Sequence, residues 1–488
     1  MNTMTMLNIF EYDKIVGELP QSIETLEIDS RKTIVGTAFI CIEGFTVDGH
    51  QYAKQAVERG ASLIIAEKEI DVEAPVVYVK NTKETLQRLA PFFYEMPSKA
   101  MHMIGVTGTN GKTTIANIIH QLLQKLGEKS AAMGTIGFQV EDELIDTDNT
   151  TPNVLETQRL LQLAKNRGIE TTTMEVSSHG LIEGRLAGVV FDTAIFTNLS
   201  HDHLDFHGTM EHYGYAKGLL FAQLGQDVTK EKYVILNADD AWSERYRQMT
   251  PYPVWSYGFT EGAMYRARII EMDPAHTIFE LTTPKETFEV KTQLVGDFNV
   301  LNVVAAMLAV HSRGYEWPAI IEKIQEVTAI KGRMEKVETD LPITLYVDYA
   351  HSPDAIEKAI EAILPYKEAS QRLLFLIGTG GNRDRAKRPV MAKKASLADY
   401  VVLTTDDPRF EGEETILTEL EKGMTHNRYA TIGDREEAVR HIVREANPND
   451  IIIFAGKGHE DFQVVGNEKL PHSDAAIALD EAKKQFTK

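Results

Sequence analysis

The chain has 488 residues, 43% hydrophobic and 25% charged, an ordinary globular composition with material for about three cores at ~150 residues each. Asp and Glu outnumber Lys and Arg by 72 to 51, a formal charge of −21 that argues against nucleic acid or an anionic membrane surface as partner. Cys41 is the single cysteine, which excludes an internal disulfide and a multi-thiolate metal site.

No run approaches the ~20 apolar residues of a membrane span, so no stable membrane insertion is expected. The opening MNTMTMLNIFEYDK lacks the basic end and long apolar stretch of a secretory signal. A cytoplasmic, monomeric chain is the expectation. Any anionic ligand would be held by local positive devices: helix N-termini, a metal ion, single Arg or Lys residues.

The patterns predict three α/β domains. Residues 1–98 read as a small mixed α/β unit, with strand-like runs at Ala38–Ile42, Ser62–Ala66 and Val76–Val79. Helical stretches are expected near Tyr52–Arg59 and Thr85–Tyr94. Residues 99–330 open with the buried-strand run Met101–Val106. After a glycine-rich turn, Ile115, Ile118, Ile119, Leu122, Leu123 and Leu126 make the stripe of an amphipathic helix capped by Gly127. Further strands at Glu170–Val176, Thr193–Thr197 and Tyr233–Leu236 suggest a largely parallel sheet of the P-loop ATPase kind. Residues 331–488 alternate strands (Leu345–Val347, Leu373–Ile377, Tyr400–Leu403, Ile451–Phe454) with helices. One helix would carry Ile356, Ile360, Ile363 and Leu364, and another runs near Glu436–Ala446. That alternation reads as a Rossmann-like, doubly wound domain.

The turn Gly105-Val-Thr-Gly108-Thr109-Asn110-Gly111-Lys112-Thr113-Thr114 lies between strand and helix. Phosphate oxygens need backbone N–H groups that approach closely, which glycine allows, and a helix start adds partial positive charge. Lys112 can reach outer phosphates and a Thr hydroxyl can ligate Mg²⁺. The strict phosphate-loop pattern fails at one position, where Val106 replaces glycine. A chance glycine turn is the alternative.

His201, Asp202, His203, Asp205 and His207 crowd the segment after Thr197. Metal ligation by one or two of these histidines competes with a plain polar loop. Glu175, ending its own strand, is the natural carboxylate partner, and a Mg²⁺ held by Thr113, Glu175 and ATP oxygens, with another near His203, would be an electrostatic clamp. In the third block, polar loops follow four strands: Asp348–Asp354, Gly378–Arg385, Asp406–Arg409 and Gly456–Glu460. Four such loops at one sheet edge argue for a crevice, and their mixed charges suit a zwitterionic ligand.

With these segments in order, the chain resembles the Mur ligases, more narrowly the branch that adds the third residue of the peptidoglycan peptide. The resemblance rests on Gly108–Thr114, Asn149–Pro152, Glu175–Gly180, His201–His207, Gly296–Asn302, Asp348–Asp354 and Gly456–Glu460. It implies ATP-dependent amide formation with Mg²⁺: the D-Glu γ-carboxylate of UDP-N-acetylmuramoyl-L-alanyl-D-glutamate becomes an acyl phosphate, which an amine then attacks. It further implies that Ile28, Ser30, Phe45, Thr46 and Val47 hold the uridine diphosphate, and that Asn149, Thr150, Thr151, Ser177, Glu183 and Arg185 hold the muramoyl-dipeptide. Glu183 stands where some relatives have Gln. Gly108–Thr114, Asn302, Arg333 and Asp348 would bind ATP, with His351 near them. Lys112, Glu175, His203, Lys217 and His351 would be catalytic, and Thr113, Glu175, His203 and a carbamylated Lys217 would hold metal.

The amino acid would lie on Arg383, Asp406, Asp407, Pro408, Arg409, Gly456 and Glu460. The family's diaminopimelate enzymes carry D-N-P-R where this chain has Asp406-Asp407-Pro408-Arg409. Arg409 favours meso-diaminopimelate, whose second carboxylate suits a guanidinium; Asp407 favours L-lysine. The expectation is meso-diaminopimelate. A folylpolyglutamate-synthetase-like ligase, which shares G-T-N-G-K-T, fits the first block less well. A P-loop switch ATPase has no need of a zwitterion crevice.

Overall fold

The computed structural model describes residues 1–44, 47–224, 230–273 and 276–487; Phe45 and Thr46, expected at the uridine site, lie outside it. The chain packs as two compact units, and their boundaries cut through the expected central domain. Unit 1 comprises residues 1–105, 129–192 and 224–231, and unit 2 comprises 106–128, 193–223 and 232–488.

In unit 1 the first sheet has five strands in the order Lys14–Val16, Val76–Tyr78, Ala61–Ala66, Thr37–Ile40, Thr25–Glu27. Only the first pairing is antiparallel. Its three inner strands read as apolar runs because both faces are covered, by Leu26, Ile40, Leu63 and Ile65 on one side and Phe39, Ile64 and Val76 on the other. Helix Thr82–Phe93 begins three residues before the apolar periodicity, because the Asn81 side chain caps Glu84 N at 3.0 Å. Farther along, Thr171–Glu175 pairs in parallel with Ser130–Gly134. The antiparallel strands Gly137–Val140 and Glu143–Ile145 follow it.

In unit 2 the strands Thr193–Phe196, Tyr233–Asn237 and Val254–Gly258 pair in parallel. Beyond them Tyr265–Met272, Thr277–Thr282 and Thr287–Thr292 form an antiparallel meander, so the expected parallel sheet gains antiparallel flanks. Alternation in Thr277–Thr282, buried at every second residue, marks a sheet covered on one face. Helix Asp297–Ser312 is apolar nearly all round and buried along most of its length.

The last six-stranded sheet runs in the order Glu335–Lys336, Thr344–Asp348, Ile451–Ala455, Leu373–Thr379, Tyr400–Thr405, Tyr429–Thr431. All pairs after the first are parallel. Ile363 and Leu364, expected on a helix, fall beyond its end at Glu361: Pro365 cannot continue the α-helical ladder, and a 3-10 turn follows instead. A two-stranded hairpin, Phe462–Val465 with Glu468–Pro471, completes the unit.

Candidate active site

The phosphate loop leaves strand His102–Thr107 and enters helix Lys112–Lys125. Val106 is a fully buried strand residue, so the position that breaks the strict pattern belongs to the sheet core and not to the loop. The working glycines are Gly108 and Gly111, with φ of +149° and +88°. A Cβ at Gly108 would stand 1.8 Å from Thr197 Oγ1, and one at Gly111 would stand 2.6 Å from Asn302 Oδ1. The loop is braced from the neighbouring strand end: Thr197 Oγ1 donates to Asn110 O at 2.6 Å, and Asn110 N donates to Asn198 Oδ1 at 3.0 Å.

Three basic side chains converge on this loop. Lys112 Nζ donates to the carbonyls of Gly108 and Thr109 at 2.9 and 2.8 Å. Lys217 Nζ donates to the same Gly108 carbonyl at 2.8 Å and lies 4.4 Å from the Tyr213 ring centre. Arg333 Nη2 donates to Thr113 Oγ1 at 2.7 Å, its guanidinium lying over Tyr349. Lys217 is 1% exposed, a buried amine and not a surface lysine. Burial, then the nearby Lys112 charge, push its amine well below the ordinary lysine range.

Acids and imidazoles lie around them. Asp202 is buried, with Lys387 Nζ 3.4 Å from Oδ1 and His203 Nε2 3.4 Å from Oδ2. Burial pushes its carboxyl up, but Lys387, His203 and His351 outweigh that and hold it below the usual range. His203 has φ +54° ahead of the short helix Leu204–His207, which turns its ring partly outward. His201 pairs with Asp384 at 3.3 Å.

Asp348 is buried, and its carboxylate accepts from Met334 N at 2.7 Å and Ala350 N at 2.8 Å. It therefore orders the backbone beside Arg333 and His351. Burial, then the Lys387 charge, lowers the His351 imidazole. Asn110 Nδ2 donates to Asp354 Oδ2 at 2.7 Å, and Asn302 is buried with its amide on Asn299.

Four loops leave the carboxyl edge of the last sheet together, as expected. Asp406, Asp407 and Glu460 surround Lys457, which is 0% exposed. Arg409, at φ +51°, directs its guanidinium to Gly381 O at 3.2 Å and Asp407 Oδ2 at 3.4 Å. A Cβ at Gly381 would lie 1.9 Å from Pro408 O, so this loop and the Asp407–Arg409 loop are in close contact. Gly456 has φ +110°, and Arg383 is exposed at the crevice edge. Sequence reasoning passed over Lys457 and Lys387. Lys457 sat within the quoted G-K-G-H-E, and a cation beside so many carboxylates was the available signal. Nothing in the local pattern marks Lys387.

Unit 1 gathers a separate set. Glu175, 1% exposed, accepts from Thr135 N at 2.8 Å and Thr135 Oγ1 at 3.2 Å. Thr151 Oγ1 donates to Glu175 O at 2.8 Å and accepts from Ser177 N at 3.0 Å. Thr150 Oγ1 bonds Thr135 Oγ1 at 3.1 Å. Arg185 makes a two-pronged pair with Glu183, at 2.8 and 2.6 Å, and donates to Thr151 O. Asn149 is exposed beside them. Ser30 is buried and bonded to Gln55, Ile28 is half-buried and Val47 exposed, all on the first sheet's side of the unit.

These residues fit a nucleotide with Mg²⁺. Two glycines leave no room for a Cβ, Lys112 and Arg333 are cations suited to phosphates, and the Thr113 hydroxyl is a hard oxygen donor. When bound, the metal offsets charge on the transferring phosphoryl group.

Comparison with known proteins agrees. Three families match in succession: the Mur ligase family catalytic domain at residues 22–94, the Mur ligase middle domain at 106–310 and the Mur ligase glutamate ligase domain at 332–458. UDP-N-acetylmuramyl-tripeptide synthetase 2 of Oceanobacillus iheyensis is 44% identical over 485 residues, 98% of each chain. UDP-N-acetylmuramoyl-L-alanyl-D-glutamate–L-lysine ligase of Staphylococcus aureus is 42% identical, over 100% of this chain and 99% of its own. A solved UDP-N-acetylmuramoyl-L-alanyl-D-glutamate–2,6-diaminopimelate ligase is 31% identical with a TM-score of 0.64, covering 95% of this chain and 96% of that one. The chain belongs to the Mur ligase family and is an ATP-dependent, Mg²⁺-using, amide-forming ligase with that family's three-domain α/β fold.

Proposed function

We propose that the chain joins a diamino acid, L-lysine ahead of meso-diaminopimelate, to the D-Glu γ-carboxylate of UDP-N-acetylmuramoyl-L-alanyl-D-glutamate in the cytoplasm. The observation that carries the choice of amine is Arg409. Its guanidinium is already engaged by Asp407 and the Gly381 carbonyl, while Asp406 and Glu460 offer carboxylates to an ammonium group. The sequence expectation weighed Arg409 as the anchor of a second carboxylate. The full-length Staphylococcus aureus relatives, named as L-lysine ligases, lend that preference no support. A free Arg409 would favour meso-diaminopimelate, which is the second reading.

The roles follow from chemistry. A carboxylate resists direct displacement by an amine because oxide is a poor leaving group, so the γ-carboxylate first takes the γ-phosphoryl group of ATP as an acyl phosphate. Lys112 and Arg333 stabilise phosphate charge, with Gly108–Thr114 supplying N–H groups and Asn302 and Asp348 shaping the cleft. Thr113, Glu175, His203 and Lys217 would hold Mg²⁺, and His351 would lie near the ATP-contacting residues Asn302, Arg333 and Asp348. Lys217 serves as a carbamate: burial favours the neutral, nucleophilic amine, whose nitrogen adds to CO₂ with loss of a proton and leaves an oxygen donor for a hard cation. Ile28, Ser30 and Val47 take the uridine diphosphate, and Asn149, Thr150, Thr151, Ser177, Glu183 and Arg185 take the muramoyl-dipeptide. Arg383, Asp406, Asp407, Pro408, Arg409, Gly456 and Glu460 line the amino-acid pocket. Domains at 1–98, 99–330 and 331–488 divide these tasks.

Phosphate release from ATP is the test, measured with UDP-N-acetylmuramoyl-L-alanyl-D-glutamate and a panel of amines. L-lysine should give the highest kcat/KM. Faster turnover of meso-diaminopimelate would transfer the assignment to the second reading, and no turnover with any diamino acid would end both.

A further inference from the structure

Lys457 is a buried cation with no role in the roles set out above. Its Nζ lies 2.6 Å from Glu460 Oε2, 2.9 Å from Asp407 Oδ1 and 3.6 Å from Asp406 Oδ1, with the Phe462 ring centre 5.1 Å away. The backbone bends sharply on both sides to turn this side chain inward. Gly456 has φ +110° and Gly458 has φ +52°. A Cβ at Gly458 would meet Gly332 O at 2.8 Å, so the bend packs against neighbouring backbone.

The charges around it are unequal in their demands. Asp407 is answered by Lys457, by Arg409 at 3.4 Å and by Val464 N at 2.9 Å. Asp406 and Glu460 keep the more open side chains, 16% and 21% exposed, and share what remains of one ammonium. Asp406 Oδ1 is buried without a hydrogen bond among the described residues. The pocket is thus left with about one unanswered negative charge, displayed by Asp406 and Glu460.

We propose that Lys457 is a specificity-determining residue of the amino-acid pocket. By cancelling part of the carboxylate charge from behind, it fixes how negative a face the pocket turns to the incoming amine. It thereby sets how strongly an additional carboxylate on that amine is refused. The inference rests on the placement of the amino acid given under the proposed function. Two unit charges some 5–6 Å apart interact by about 3 kcal/mol at an effective dielectric of ~20, so one charge more or less in the pocket moves discrimination by large factors.

The experiment measures kcat/KM for L-lysine and for meso-diaminopimelate, which differ by one carboxylate, in the unmodified enzyme and in variants. Lys457→Met should raise the lysine-to-diaminopimelate ratio at least tenfold, with KM for ATP changed less than threefold. Lys457→Arg should keep the ratio within threefold. Asp407→Asn, nearly isosteric, shifts the balance the other way and should lower the ratio at least fivefold. The double variant Asp407→Asn/Lys457→Met, matched in charge, should restore it.

A Lys457 that only supports the fold would lower both amines together and leave the ratio unchanged, which would overturn the proposal. Should Lys457→Met fail to fold, Asp407→Asn decides by itself: an unchanged ratio is again fatal. Failure of the functional reading is distinct. It appears in the unmodified enzyme as no turnover of either amine, and the same charge comparison then runs on whichever amine is accepted and its carboxylated analogue.

Discussion

Lys387 and Asp202 form an ion pair whose removal should be costly and partly reversible by a matched change. Lys387 opens helix Lys387–Ala395, where the partial positive charge of the helix start disfavours a cation. Asp202 is 4% exposed and stands 3.4 Å away. At that separation the attraction is about 5 kcal/mol for an effective dielectric of ~20. Lys387→Met strands a buried carboxylate that keeps His203, so the expected loss of stability is about 3 kcal/mol. Asp202→Asn strands the lysine at similar cost. The double variant removes both charges and should recover about 2 kcal/mol of the summed loss. Urea unfolding of the four proteins of this cycle gives the coupling directly.

The pH dependence supplies a second check on the pair. Asp202 has a folded pKa below its unfolded value, so its contribution is present above the unfolded pKa and is lost as pH falls through the folded one. In Lys387→Met the burial cost is less opposed and the Asp202 pKa rises. The stability gap between the two proteins should therefore be flat at neutral pH and narrow only in acid, once the variant's Asp202 takes a proton. Additive single losses in the cycle, or a gap that widens in acid, would refute the pairing as the source of the stability.

Lys112→Ala should lower kcat/KM for ATP by about a thousandfold, near 4 kcal/mol, while the urea midpoint stays close to that of the unmodified protein. Phosphate release and urea unfolding read the two sides. Lys217→Ala should be nearly inactive and partly recovered by added short carboxylates that replace a carbamate oxygen; full activity without additive removes the residue from the site. Gly134→Ala places a Cβ 2.0 Å from Glu175 Oε1, so it should displace that carboxylate and raise the Mg²⁺ concentration needed for half-maximal rate.

The buried strands were legible because the inner parallel strands of the first and last sheets read as apolar runs between polar loops, whereas the edge strands Thr25–Glu27 and Tyr429–Thr431 carry no such run. Helix Asp297–Ser312 and the meander Tyr265–Thr292 were not legible. The helix is buried on nearly all sides and carries no polar stripe, and the meander's alternation is interrupted by a bulge between Ile269 and Glu271. Within the candidate site, the phosphate loop was visible as a motif because its constraints are local: glycine where a Cβ cannot fit, lysine at the helix start. Lys387 reaches Asp202 across 185 positions of sequence, a contact that only the fold creates. The partners of the Arg409 guanidinium are invisible in a string of letters; here the Asp407 carboxylate, two residues away, engages it.

The acceptor that each buried cation uses separates exchangeable groups from fixed ones. Arg333 rests on a neutral group, the Thr113 hydroxyl. Arg388 is instead held by Glu411 through two nitrogens and by Glu419, each at 2.8 Å, and Arg435 is held by Asp474. A phosphate oxygen outcompetes a neutral carbonyl or hydroxyl for a cation, because charge-assisted hydrogen bonds are about twice as strong as neutral ones. It gains little over a carboxylate already in place. Arg333 and Arg388 should therefore respond oppositely to the same change. Arg333→Met gives up one hydrogen bond and a ring contact, about 1–2 kcal/mol of stability at most, and should raise KM for ATP more than tenfold. Arg388→Met strands two carboxylates at 0% side-chain exposure of the arginine and should cost about 3–5 kcal/mol, with KM for ATP nearly unchanged in the protein that remains folded. Should Arg388→Met raise KM for ATP while Arg333→Met leaves it alone, acceptor type is no guide to which cations meet the nucleotide.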